Sequence, residues 1–160
     1  MPIYLKIPGV TGQTQIEGHK DELEVQSFQF GAGLAVTAGT SNQERTAGKP
    51  SFSEITVTRT SDSATPQLLQ KLASGTVLAG DTIITFPRED KDGLLPLLVI
   101  TLTDVIISNL SVSSGGDLPS ESFSLNYAVI KAKYTKQKEE GGQEGVAPFG
   151  WDISKNIAAA

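Results

Sequence analysis

Short runs in which one parity of the chain is apolar recur from end to end. In IYLKI, Ile3, Leu5 and Ile7 share one face, the two-residue period of a half-buried strand. DELEVQSFQFG, residues 21–31, begins the same way with Leu23 and Val25, then changes phase to Phe28 and Phe30. ESFSLNYAVIKAKY does it again: Phe123, Leu125, Tyr127 and Val129 hold one parity, and Ile130, Ala132 and Tyr134 the other. A slip of one residue moves side chains to the opposite face, so such strands suit a coiled barrel or a sandwich whose strands pass between sheets. Leu97 to Ile107 is apolar on both parities, as in a strand covered on both sides. Further strands are expected at 52–59, 77–86 and 148–153.

One segment follows another period. In TRTSDSATPQLLQKLASG, residues 58–75, Leu68, Leu69, Leu72 and Ala73 form a helical stripe. Thr65 is the expected N-cap, Pro66 suits the first helical position, and Gly75 supplies a left-handed stop. So short a helix is marginal alone in water and must lie on the strands as a lid. Two stretches resist assignment: the Gly-, Ala- and Thr-rich 31–49, and the charged KQKEEGGQEG at 136–145, which reads as a hairpin tip or linker. Beyond the latter, PFGWDISKN holds the only Trp, which implies that the tail docks on the body. The expectation is mainly β: two antiparallel sheets forming a small barrel or sandwich, flanked by one short α-helix at about 65–75.

Composition narrows the function classes. A chain of 160 residues suits one domain over 1–160, with no internal repeat. The formal charge of −5 argues against a nucleic-acid partner, which demands a basic surface. With no cysteine there are neither disulfides nor thiolate metal sites. MPIYLKIPGV lacks the basic and apolar regions of a cleaved secretory signal, and the most apolar stretch is too short and too polar to span a bilayer.

Candidate chemistry is sparse. His19, the only histidine, follows Gly18 in a polar turn with no nucleophile in a recognisable elbow, so a turn or surface role is preferred to general-base catalysis. Glu22 and Glu24 lie two apart; such pairs can hydrolyse glycosides, but more often they solvate an exposed face. REDKDG at 88–93 lacks the ordered acids of a calcium loop and reads as a charged hairpin turn. GAGLAVTAG has neither the helix nor the Lys-Ser of a phosphate loop. In SEITVTRTS, Ile55 and Val57 point inward, while Thr56 and Thr58 form a polar face open to solvent or another subunit. No catalytic, cofactor or metal set emerges, so binding or assembly is favoured.

Four stretches, in this order and spacing, resemble the Hcp (haemolysin-coregulated protein) family, the tube subunit of bacterial type VI secretion systems. They are YLKIPGVTGQTQIEGHKDELEVQSFQFGAG, FSEITVTRTSDSATPQLLQKLASG, SFSLNYAVIKAKYTKQ and GWDISKN. Phe28 and Phe30 depart from the family by standing where many members have tryptophans. The resemblance implies homohexameric rings stacked into a hollow tube, assembled in the bacterial cytoplasm within a contractile sheath and tipped by spike proteins. The tube is then secreted to the extracellular space or a target cell, with effector proteins in its lumen. It implies no enzyme activity, cofactor or membrane insertion. Residue by residue, Gln29 matches a lumen-facing, cargo-contact position, and Phe28 and Phe30 would point into the core. The 31–49 segment, with Gly33, Leu34, Val36 and Gly39, would reach a neighbouring subunit or ring. The alternative from another class is a secreted β-sandwich binding module, for instance for carbohydrate; such modules expose several aromatics on one concave surface, and this chain has few.

Overall fold

The computed structural model describes residues 2–38, 45–91, 93–139, 141 and 143–159. Among the described residues thirteen strands and one helix follow in chain order. These are β1 (Ile3–Lys6), β2 (Leu23–Val25), β3 (Ser27–Gln29), β4 (Ala32–Ala38), β5 (Arg45–Phe52), β6 (Ile55–Thr60) and α1 (Thr65–Ser74). Then come β7 (Thr82–Asp90), β8 (Gly93–Thr103), β9 (Ile106–Ser113), β10 (Ser120–Asn126), β11 (Val129–Gln137), β12 (Gln143–Asp152) and β13 (Ile157–Ala158). The strands make a seven-stranded sheet in the order β13-β12-β11-β8-β7-β1-β2 and a four-stranded sheet in the order β3-β6-β10-β9. A separate two-stranded ribbon joins β4 to β5. Every pairing is antiparallel. No sheet closes into a barrel among the described residues; the architecture is sandwich-like.

Both changes of phase are places where the chain leaves one sheet for the other. Between β2 and β3 the switch is Gln26, whose N–H donates to the Thr58 carbonyl at 2.8 Å and whose side chain donates to Thr60 Oγ1 at 2.8 Å. Between β10 and β11 the switch is Tyr127-Ala128, where the Ala128 N–H donates to the Thr103 carbonyl at 3.1 Å. Each switch turns the next side chain over, so both halves keep apolar groups inward. Leu5, Leu23, Val25, Ile84, Ile100, Leu102 and Ile130 from the large sheet meet Ile55, Val57, Ile107, Phe123 and Leu125 from the small one in one buried core. The apolar 97–107 run is covered on one side only: Ile100, Leu102, Val105 and Ile107 are buried, while Leu97, Val99 and Thr101 are half-buried on the outer side.

The helix starts one residue earlier than its punctuation suggests. Thr65 is its first residue, Pro66 the second, and Ala64 takes the N-cap place without a side-chain cap. Asp62 shapes the turn instead, its Oδ1 accepting the Ala64 N–H at 2.8 Å and its carbonyl the Thr65 N–H at 3.1 Å. Gly75 closes the helix at φ 61°, and its N–H donates to the Leu72 carbonyl. Leu68 is fully buried, with Ala64 beside it and Leu72 packed on the core, and α1 lies against β9. Full burial of Leu68 contributes about 1.5–3 kcal/mol. Leu69 and Ala73 remain exposed, so only half of the expected stripe is used.

The 31–49 segment, expected to lack secondary structure, supplies most of the β4–β5 ribbon through residues 32–38 and 45–49, and its residues 39–44 lie outside the described residues. Most of its residues are Gly, Ala, Thr or Ser, so no apolar alternation marks the strands. The ribbon is instead held by its own ladder, Ala32 opposite Phe52 through Ala38 opposite Arg45, with an irregularity between Leu34 and Val36.

Candidate assembly surface

The ribbon springs from a root where three elements meet. Gly31 and Ser53 close it: the Ser53 N–H donates to the Gly31 carbonyl, and the Gly31 N–H donates to Ser53 Oγ, both at 2.8 Å. The Tyr127 hydroxyl, from the sheet-switch between β10 and β11, donates to the Ser53 carbonyl at 2.8 Å. Burial, and secondarily the Glu54 carboxylate, push the Tyr127 hydroxyl up to about 12. Phe30 stacks on Phe52 with centroids 6.4 Å apart, and Phe28 meets Phe86 of β7 edge-on at 5.0 Å. Phe28 and Phe30 are both half-buried against the core, whereas Gln29 between them is exposed.

Beyond the root the ribbon leaves the body. Gly33, Leu34 and Val36 are exposed, Leu34 at 51% and Val36 at 56%. Gly39 lies outside the described residues. Isolated two-stranded ribbons are marginal in water, and this one carries exposed apolar side chains with both long edges unpaired in the sheet order.

Gln29 belongs to a chemically uniform sheet face. Across the four-stranded sheet, register sets Gln29, Thr56, Ser124 and Asn109 in one row and Ser27, Thr58, Ser122 and Ser111 in the next. Thr60, Ser120 and Ser113 continue a third. None of these side chains is charged or large and apolar. Several satisfy one another: Thr56 Oγ1 is 3.1 Å from Ser124 Oγ, and Ser113 Oγ is 3.4 Å from Ser120 Oγ. A face of this kind stays wet, hydrogen-bonds weakly and favours neither sign of charge.

On the opposite face of that sheet lies a buried ion cluster. Arg59 and Glu121 are directly opposed across β6 and β10, each 1% exposed. Arg59 Nη1 reaches Glu121 Oε1 at 2.5 Å, and Nη2 is paired with Asp62. The sequence reading missed this pair, although the signal was present. Arg59 shares the inward parity of Ile55 and Val57, and Glu121 that of Phe123 and Leu125. The cluster ends the apolar core and ties the small sheet to the turn that starts α1.

The residues with possible chemistry are occupied otherwise. The His19 ring stacks on Tyr4 at 4.4 Å, with Nδ1 2.8 Å from Glu22 Oε2. Glu24 lines a different recess, beside Arg59 and Asp62. No group of three or more His, Asp or Glu side chains is set to hold a metal ion among the described residues, and no described helix is long and apolar enough to cross a membrane.

Comparison with known proteins agrees with this geometry. Residues 4–134 match the family described as Type VI secretion system effector, Hcp. The chain is 28% identical to Protein hcp1 of Pseudomonas aeruginosa over 160 residues, covering 98% of each chain. It superposes on a solved type six secretion system protein with a TM-score of 0.91 at 26% identity, covering 99% of both chains. Hcp1 from Salmonella typhimurium gives a TM-score of 0.79 at 26% identity, over 99% of this chain and 98% of that one. Over both sheets, the helix and the ribbon root, this chain therefore belongs to the Hcp family of type VI secretion system proteins.

Proposed function

We propose that this chain is a structural tube subunit and not an enzyme: residues 1–160 act as one unit, six copies close into a ring, and rings stack into a hollow conduit for effector proteins. The observation that carries the reading is the β4–β5 ribbon. It forms a two-stranded sheet of its own, and its Leu34 and Val36 side chains stay more than half exposed. A neighbouring copy that receives the ribbon would cover both, and a head-to-tail contact of this sort repeats until a ring closes. The uncharged Ser/Thr/Gln/Asn face then suits the channel wall, where passing polypeptides must not adhere. Gln29, at the β3 end of one row, is the cargo-contact position. Sheath and spike proteins are the outer partners, with assembly in the cytoplasm followed by export.

Sedimentation and electron microscopy of the purified chain test this. Hexamer-sized annuli are expected, and material that stays monomeric at every concentration overturns the reading. Gln29→Arg is expected to leave rings intact and to lower co-purification of an exported effector. Loss of the rings themselves would make Gln29 structural.

A further inference from the structure

Two further surfaces carry complementary chemistry and lie apart on the chain. On the outer side of the seven-stranded sheet, register sets Lys131 between Thr101 and Gly150, and Lys133 between Val99 and Pro148. These residues line a groove of about 430 Å³. Both lysines are exposed, and neither has an acidic partner among the described residues. The tail walls one side: the Ala159 N–H donates to the Gly150 carbonyl at 3.1 Å, and a Cβ on Gly150 would stand 2.5 Å from the Ala159 carbonyl oxygen. The groove is thus a built feature with an apolar floor and two unanswered positive charges.

The complementary chemistry lies on the β9–β10 turn. Leu118 is 73% exposed, more than any other large apolar residue described, and the exposed Asp117 precedes it. The pair is held in place: Asp117 Oδ1 accepts the Leu118 N–H at 2.8 Å, and the Ser114 hydroxyl donates to the Asp117 carbonyl at 2.8 Å. Leu118 borders the recess lined by Glu24 and Gln26, beside edge strand β2, whereas the groove lies at β8, β11 and β12 toward the other edge. One chain cannot bring the two together.

Resting on the ring reading above, we propose that Asp117 and Leu118 of one copy seat in the Lys131/Lys133 groove of the next. Leu118 covers the apolar floor, while Asp117 answers the lysines and sets the register of the joint. Because the two patches are different surfaces on opposite flanks, the contact is heterologous and repeats around a ring.

The chain has no cysteine, so an introduced pair reports without background. The double variant Asp117→Cys/Lys131→Cys, mildly oxidised, is expected to give a ladder of disulfide-linked multimers on a non-reducing gel, with each single variant stopping at dimers. Lys131→Glu/Lys133→Glu is expected to raise the concentration at which rings dissociate at least tenfold, with unchanged thermal unfolding, and Asp117→Lys in that background to restore it. If the wild type sediments as a ring while the cysteine pair stays monomeric, or charge reversal changes nothing, this joint is wrong and the ring reading stands. That result would leave the groove to an acidic segment of another protein. A wild type that never forms rings overturns both.

Discussion

The β4–β5 ribbon and the two-sheet body are built from the same chain by opposite means. In the body, each inward side chain of β6 and β10 has a cross-strand partner, from Ile55 and Leu125 to Arg59 and Glu121, and all four are buried. In the ribbon the backbone ladder is interrupted only between Leu34 and Val36, yet both of these side chains lie more than half exposed. The paired strands β6 and β10 cover their own inward side chains. The ribbon has backbone order with its larger mid-strand side chains left half open to solvent, the kind of surface the proposed ring contact would cover. Stability and assembly should therefore separate by region.

The largest effect is expected where the body has least freedom to adjust. Arg59→Ala leaves Glu121 buried and uncompensated and should cost about 3–5 kcal/mol in urea unfolding, whereas Arg59→Met with Glu121→Leu should recover most of it. A loss under about 1 kcal/mol would mean that water reaches the cluster.

A smaller effect is expected at the root, where body and ribbon meet. Tyr127→Phe removes the bond to the Ser53 carbonyl and should cost about 0.5–1.5 kcal/mol. It should also alter the alkaline limb. The folded phenol keeps its proton to about 12, while the unfolded chain releases it near 10.0. The stability so contributed is complete below the unfolded value and drains as pH rises from there through the folded one. Unfolding midpoints at about pH 8 and about pH 11 should diverge more for wild type than for the variant; equal divergence would place the alkaline loss elsewhere.

The smallest effect on stability is expected in the ribbon itself. Deleting 36–47 should shift unfolding by no more than about 0.5 kcal/mol, as for surface changes generally, and yet abolish ring formation in electron micrographs. Unchanged rings would assign the ribbon another task.

The sequence carried much of the body. Parity of Leu23 and Val25 against Phe28 and Phe30 located one sheet switch, and Leu125 against Ile130 the other, because a buried face tolerates no slip. The helix was legible from Leu68, Leu72 and Gly75. Its first residue was not, because Asp62 organises the turn from outside the window in which a cap is sought. Arg59 and Glu121 were hidden by the habit of reading charge as surface. Their alternation pointed inward, but only the β6–β10 register sets one opposite the other.

Strand period in the body, the helix stop at Gly75, the shortage of catalytic residue types and the family resemblance were determined by the order of residues alone, because each rests on local geometry or on composition. Which apolar residues stay uncovered was decided by the tertiary structure. Leu118 and Val36 are apolar like Leu125, and only the placement of two sheets against each other leaves the first two exposed. Burial is a property of the packed whole, whereas alternation belongs to the strand.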